Sequence, residues 1–205
     1  MPVLKEVLYY TFSELSDHQK EMARERYRCH DTDYDWYTSV YDDFLNLCSL
    51  IGIEIGYVSR SGSGTKRCLW FSGFYSQGDG ACFEGVYKYR KGALKKVTDA
   101  YPMDKELHEI IRNLQNIQKK FFYRLKAEIT HRGRYYHENS MDIRVCNSVS
   151  GYLCASPNAE AIIETALRSL ALWFYNQLEK EYDYITSDEV VDAALEESGA
   201  IYTEK

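Results

Sequence analysis

Two short segments carry the side chains best suited to chemistry. The first is the polar stretch 76–80, Ser-Gln-Gly-Asp-Gly, which lies between two apolar, aromatic stretches. The second, 131–138, begins within a predicted strand and contains two histidines and a glutamate. If the segments met, a carboxylate and imidazoles could perform general acid–base chemistry or bind a metal ion. The candidate site residues are Ser76, Gln77, Asp79, His131, His137 and Glu138.

The same loop also fits a structural role. Gly78 and Gly80 flank Asp79, and glycine permits the positive φ angles of a tight turn. An aspartate in such a turn hydrogen-bonds backbone N–H groups of its own loop, and Gln77 could do the same. No catalytic motif of known spacing is matched. Both interpretations stay open, and we predict no catalytic residue, no cofactor and no bound metal ion.

The aspartates at 31, 33 and 35 precede a predicted helix, where acidic side chains complement the helix dipole. Alternate aspartates also occur in EF-hand loops, but the glycine and distal glutamate of that motif are missing here. The six cysteines, at 29, 48, 68, 82, 146 and 154, form no C-x-x-C pair. We therefore expect them to be small buried apolar side chains rather than ligands or disulfides.

The composition is that of a globular protein. The chain has 205 residues, of which 45% are hydrophobic and 27% charged, so we expect one domain over 1–205. The formal charge of -6 argues against a general nucleic-acid binder, and we do not expect direct nucleic-acid binding. No apolar run reaches about 18 residues, and the first residues lack the apolar core of a signal peptide. We expect a cytoplasmic protein of a bacterial host with no membrane association.

Periodicity predicts an α+β fold, with a mostly antiparallel sheet of about five or six strands covered by three or four long helices. Thr186 with Glu189, like Ser16 with Gln19, has the form of a helix capping box. Gly85 in the last strand of the central hairpin indicates a bulge or a close neighbouring backbone. The predicted strands are 5–12, 53–59, 67–74, 81–89, 126–136, 141–147 and 201–203. The predicted helices begin near 16, 36, 91, 104, 156 and 187.

Several stretches resemble a family of uncharacterised phage and prophage proteins whose members are often labelled as the antitoxin of a toxin–antitoxin stability system. The central one is 71–74, Phe-Ser-Gly-Phe, followed by 76–85, Ser-Gln-Gly-Asp-Gly-Ala-Cys-Phe-Glu-Gly. Further similar stretches are 10–16, 131–138 and 178–184. The resemblance implies a protein from a mobile element that binds a host or toxin protein, and it assigns no catalytic residue.

Two functional hypotheses follow. The first is a non-enzymatic interaction protein that acts as an antitoxin-like or anti-defence inhibitor by binding a host or toxin protein. The second is a small-molecule-binding protein or hydrolase with its site around 76–80. The acidic C-terminal end, with nine acids and two bases over 179–205, is also compatible with mimicry of nucleic acid.

Overall fold

The computed structural model describes residues 7–30, 35–60, 64–147 and 156–203, and it confirms the predicted α+β class. Asp31, Asp33 and Cys154 lie outside the described residues. In chain order the elements are β1 (Tyr9–Tyr10), α1 (Asp17–His30), α2 (Thr38–Ile51), β2 (Ile53–Ile55), β3 (Tyr57–Arg60), β4 (Gly64–Arg67), β5 (Leu69–Phe71), β6 (Ala81–Phe83), β7 (Gly85–Lys88), α3 (Ala93–Ala100), α4 (Lys105–Lys120), β8 (Leu125–His131), β9 (Met141–Asn147), α5 (Pro157–Ile185), α6 (Asp188–Glu197) and β10 (Tyr202–Thr203).

The chain divides into two compact units. Unit 1 contains Met1–Thr38 and Lys180–Lys205, and unit 2 contains Ser39–Glu179. Among the described helices, none combines the length and the apolar run that crossing a bilayer requires.

Unit 1 is built from both ends of the chain. The short strands β1 and β10 pair antiparallel, and helices α1 and α6 supply a small core. Arg24 on α1 binds the Asp192 carboxylate on α6 with two hydrogen bonds of 2.7 Å, and Arg28 binds Asp188 beside it. The buried residues of this core are Phe12, Leu15, Ala23, Val191 and Leu195.

One of the two predicted capping boxes is confirmed. The Ser16 N–H and hydroxyl both donate to Gln19 Oε1 before α1 begins. The box predicted at Thr186 is wrong by one residue, because Ser187 is the N-cap of α6 and its hydroxyl accepts from Val190 N. Thr186 instead donates to the Tyr182 carbonyl at 2.7 Å, as hydroxyls in a last helical turn often do.

Unit 2 contains a four-stranded antiparallel sheet in the order β2-β7-β8-β9, rather than the larger sheet that was predicted. The described strands also form the two-stranded pairs β3-β4 and β5-β6. The predicted continuous strands 53–59, 67–74 and 81–89 are therefore each divided, and their halves pair with different partners. The described residues contain ten strands and six α-helices, whereas a sheet of about five or six strands covered by three or four long helices was predicted.

A ring of three backbone hydrogen bonds explains the division. Gly56 N donates to Glu84 O at 2.8 Å, Glu84 N to Cys68 O at 3.0 Å, and Cys68 N to Gly56 O at 2.9 Å. Each of these residues lies between two consecutive strands that pair with different partners: Gly56 between β2 and β3, Cys68 between β4 and β5, and Glu84 between β6 and β7. We call this arrangement the strand junction. Gly85 follows it, and a Cβ there would lie 2.3 Å from Glu54 O, which confirms the predicted close backbone.

The core of unit 2 lies between the strands and the helices α2 and α5. The Phe44 ring on α2 stacks on Phe174 of α5 at 4.2 Å and meets Phe83 of β6 edge-on at 5.5 Å. Helix α5 begins at Pro157, as predicted, because proline suits the first turn of a helix. The opposite face of the β5-β6 pair carries Trp70, and the candidate site lies on that side.

Candidate functional site

Two loops of unit 2 lie against each other and bring the two predicted segments together. Loop 72–80 joins β5 to β6, and loop 132–140 joins β8 to β9. A Cβ at Gly80 would lie 3.0 Å from His137 Cα and from Tyr136 O, so any other residue here would require the neighbouring backbone to move by a few tenths of an ångström. At Gly78 the nearest atom to such a Cβ would be Tyr135 Cδ1, at 3.4 Å. We call the outer face of these loops the two-loop surface.

Asp79 holds its own loop together. Its Oδ2 accepts hydrogen bonds from Tyr75 N at 3.1 Å and from Ser76 N at 2.7 Å. Its own N–H donates to Ser76 O at 3.1 Å, which closes the turn. These bonds are those of an aspartate that caps a turn, and they occupy the carboxylate oxygen that faces the loop.

Helix α5 supports this loop from the other side. The Tyr175 hydroxyl donates to the Gly73 carbonyl at 2.9 Å. Burial, together with the negative charge of nearby Asp79, raises the pKa of Tyr175 to about 12. Tyr175 is therefore a protonated donor at neutral pH, and it fixes the position of the loop rather than acting as a base.

His131 has partners on both of its sides. Its backbone N–H donates to Glu84 Oε1 at 2.9 Å, and its ring Nε2 lies 3.0 Å from Tyr135 O. The ring also packs in an aromatic cluster with Trp70 and Tyr136, whose own rings are nearly parallel at 6.0 Å. These contacts give His131 a packing role at the end of β8.

His137 and Glu138 form the short helical turn before β9. The Nδ1 atom of His137 lies 3.1 Å from Asn139 N and 3.0 Å from Glu138 Oε2. Arg168 of α5 donates to Glu138 O at 2.7 Å, which anchors the turn to the helix. The imidazole therefore stabilises the turn in which it lies, by accepting a hydrogen bond from Asn139 N.

The structure brings the two loops together without joining their titratable groups. Among the contacts of the described residues, none links the Asp79 carboxylate to the ring of His131 or His137. Ser76 and Gln77 are exposed, and Ser76 contributes its backbone to the turn. Within the same residues, no three His, Cys, Asp or Glu side chains are grouped so that they could hold a metal ion.

Cys68 and Cys82 are buried, as predicted, whereas Cys29 is exposed and Cys146 is half-buried, so the expectation that all the cysteines are buried is wrong for Cys29. Burial, together with the neighbouring Glu84 carboxylate, raises the pKa of Cys68 to about 11. Burial likewise raises the pKa of Cys82 to about 12. A thiol protonated at neutral pH is a poor nucleophile, so neither cysteine is prepared for covalent chemistry.

The exposed side chains of this region are mainly aromatic, which the candidate residues did not include. Tyr75 is 81% exposed and Tyr135 is 67% exposed, one on each loop. Trp70 and Tyr136 are half-buried beside them. The count of 19 tyrosines was the available signal, but it did not show which of them reach the surface.

Residues 36–188 match the sequence model of a family described as a domain of unknown function, DUF8835. The chain belongs to the DUF8835 family. The DUF8835 match includes all of unit 2, and with it both loops, the strand junction and the aromatic cluster. No curated protein and no solved structure matches the chain.

Proposed function

We propose that this DUF8835 protein is a non-enzymatic binding protein whose two-loop surface contacts a partner protein. The observation that carries the proposal is the contrast between the hydrogen-bonded titratable groups of the two loops and their exposed tyrosines. Asp79, His131 and His137 make hydrogen bonds to the backbone of their own loops, and Tyr75 and Tyr135 are 81% and 67% exposed. A rigid loop that presents tyrosine to solvent has the form of a protein-binding surface.

Rigidity matters because binding costs less when the surface is already ordered. Loop 72–80 is held by Asp79 and by the Tyr175 hydroxyl, and loop 132–140 is anchored by Arg168. Tyrosine adds large contact area with few rotatable bonds. The side chains Tyr75 and Tyr135 therefore have the features of binding hot spots.

The resemblance to phage and prophage proteins labelled as antitoxins supports a particular class of partner. An antitoxin-like or anti-defence inhibitor would bind a toxin or a host protein in the bacterial cytoplasm and block it. Such a protein needs a specific, ordered surface and no catalytic group. Most of the two-loop surface is made by the stretches 71–74, 76–85 and 131–138, which carry that resemblance.

The alternative of a hydrolase or small-molecule site around 76–80 receives less support. A general base needs a carboxylate free to reach a substrate, whereas the Asp79 carboxylate accepts two backbone hydrogen bonds. The thiols nearby have raised pKa values. Nothing in the two loops is arranged to activate a nucleophile.

Affinity capture from a bacterial host lysate tests the proposal. The immobilised full chain is compared with the variant Tyr75→Ala/Tyr135→Ala after nuclease treatment, so that nucleic acid cannot bridge the proteins. We expect a stoichiometric partner that the double variant loses. Its binding to the purified wild-type chain should be reproduced by titration calorimetry.

The matched control is Tyr57→Ala/Met103→Ala, which removes two large exposed side chains of unit 2 outside the two loops. Thermal unfolding of all three proteins shows whether each is folded. Failure to recover any partner, or equal loss with the control variant, would count against the proposal. Turnover of a substrate that depends on Asp79 would favour the hydrolase instead.

A further inference from the structure

The formal charge of the chain hides a strong segregation of charge. Unit 2, Ser39–Glu179, has 18 bases and 15 acids, a formal charge of +3. Unit 1 has 7 bases and 16 acids, a formal charge of -9, and the two values give the -6 of the whole chain. The net charge therefore does not describe the surface of unit 2.

The bases of unit 2 are concentrated in two segments that contain no acidic residue. These are 85–98 and 112–127, and together they contain ten of the 25 Lys and Arg residues of the chain. They are Lys88, Arg90, Lys91, Lys95, Lys96, Arg112, Lys119, Lys120, Arg124 and Lys126.

The fold brings these segments to one place. The Tyr89 ring, just after β7, lies 4.3 Å from the Tyr123 ring in the turn between α4 and β8. Gln115 Nε2 on α4 donates to the Arg90 carbonyl at 3.4 Å. We call the exposed cations around this ring pair, together with the exposed aromatic side chains of the turn, the basic patch. It consists of Arg90, Lys91, Lys119, Lys120, Arg124, Phe122 and Tyr123.

The cations of the basic patch form no ion pair with any acid in the described part of the chain. Elsewhere in unit 2, Lys88, Lys126, Arg132 and Arg168 each lie within 4 Å of a carboxylate oxygen. All five patch cations are exposed. A cluster of exposed cations without carboxylate partners attracts polyanions. The attraction is local, because charges are screened within about 8 Å at physiological salt.

The aromatic part of the basic patch is held in an unusual backbone conformation. Phe122 and Tyr123 have φ values of 53° and 61°, which L-residues other than asparagine and aspartate seldom adopt. The buried Gln118 side chain fixes the turn, because it binds both the N–H and the carbonyl of Leu125, at 3.2 and 2.7 Å. As a result Phe122 is 79% exposed and Tyr123 is 47% exposed.

We propose that the basic patch binds single-stranded nucleic acid. Its five cations would contact backbone phosphates, and the rings of Phe122 and Tyr123 would stack on unpaired bases. The guanidinium groups of Arg90 and Arg124 suit phosphate oxygens, which accept two parallel hydrogen bonds from one Arg. The patch lies in the part of the chain that matches the DUF8835 family, and it is distinct from the two-loop surface.

An anionic membrane is the less suitable partner. Stable binding at a lipid surface needs a broad apolar face to bury, and the turn offers one well exposed phenylalanine and a half-exposed tyrosine. Stacking on bases needs only ring faces. The combination of few aromatics with many cations therefore favours nucleic acid.

Fluorescence anisotropy with a labelled thymidine oligonucleotide of roughly 20 residues, at about 20 mM NaCl, tests the proposal. We expect saturable binding by the full chain, and a log–log salt slope of about -3.5 for five phosphate contacts at about 0.7 each. The variant Lys119→Gln/Lys120→Gln/Arg124→Gln should bind more than about tenfold more weakly, and its slope should be shallower by about 2. Phe122→Ala should weaken binding about fivefold or more without changing the slope.

Charge-matched and size-matched controls separate the patch from the whole protein. Lys66→Gln/Arg67→Gln/Arg134→Gln loses the same charge from exposed positions of unit 2 outside the patch, and Met103→Ala removes an exposed apolar side chain. Both controls should bind as the wild type does. The proposal is overturned if the oligonucleotide does not bind, if the control triple variant weakens binding equally, or if phosphatidylserine vesicles are bound in its place.

Discussion

At the scale of single residues, the hydrogen bonds of Asp79 decide how the central motif should be understood. Its Oδ2 accepts from two consecutive backbone N–H groups, Tyr75 and Ser76. The nearest approach to a Cβ placed on Gly73 is also this oxygen, at 3.3 Å, so the loop closes tightly around the carboxylate. The motif is built to hold a shape.

This gives a direct prediction for Asp79→Ala. The substitution leaves two loop N–H groups without their acceptor, so we expect the free energy of unfolding to fall by about 1–2 kcal/mol. Asp79→Asn keeps one acceptor oxygen and should lose less. Urea unfolding followed by circular dichroism measures both. An unchanged stability together with loss of function would instead indicate that Asp79 acts on a ligand.

The candidate residues could be named from the sequence, but their roles could not. The turn around Asp79 was foreseen as one of two alternatives, because glycines on both sides of an aspartate allow a tight turn whose N–H groups the carboxylate can bind. The contact of Gly80 with the His137 backbone is a long-range event with no local signature. Buried and exposed tyrosines also look alike in a sequence, which is why Tyr75 and Tyr135 were not selected.

At the scale of elements, the strand junction determines the layout of unit 2. Local patterns correctly located most strands, since alternation and β-branched residues depend on neighbours in the chain. They could not show that the chain changes its pairing partner at Gly56, Cys68 and Glu84, because pairing is a property of the assembled sheet. The single larger sheet was therefore a reasonable expectation that the Gly56, Cys68 and Glu84 ring overrules.

The strand junction makes opposite predictions for two substitutions at Gly56. A Cβ there would lie 3.5 Å from Cys68 Sγ and from Glu84 O, which is ordinary contact, so Gly56→Ala should change stability by less than about 1 kcal/mol. Gly56→Pro removes the N–H that donates to Glu84 O at 2.8 Å, and should cost about 3 kcal/mol.

Thermal and urea unfolding of the two variants provide the measurement. Gly92→Ala is a useful comparison, because Gly92 has open space around it but a φ of 76°. It should be destabilised by backbone strain alone. If Gly56→Pro were as stable as the wild type, the three hydrogen bonds of the strand junction would not be what holds the pairs β2-β7, β3-β4 and β5-β6 together.

At the scale of the whole molecule, the fold assigns acidic and basic residues to different units, whereas the net charge of the sequence adds them together. A net charge sums over both units, so it conceals the +3 of unit 2 and the -9 of unit 1. The division itself depends on the chain returning at Lys180 to the unit in which it began. Charge counted along a linear sequence cannot anticipate that return, so the total charge is weak evidence against nucleic-acid binding by unit 2.

The return of the chain also makes unit 1 sensitive to pH. The Arg24 guanidinium binds both carboxylate oxygens of Asp192, and these hydrogen bonds hold the pKa of Asp192 below its ordinary value. A lowered folded-state pKa stabilises the fold at pH values above the unfolded pKa of about 3.9. The contribution is lost as pH falls from there through the folded-state value.

We therefore expect Asp192→Asn to destabilise the protein by about 1 kcal/mol near neutral pH, and by less at about pH 3. The control is Asp183→Asn, an exposed position in the same unit with no ion pair within 4 Å among the described residues. Urea unfolding at the two pH values separates the variants. Only the loss of a paired carboxylate should reduce the fall in unfolding free energy between neutral pH and about pH 3. Equal pH dependence in the wild type and Asp192→Asn would show that the closure of the two chain ends does not depend on this ion pair, and that the small core around Phe12 and Val191 suffices.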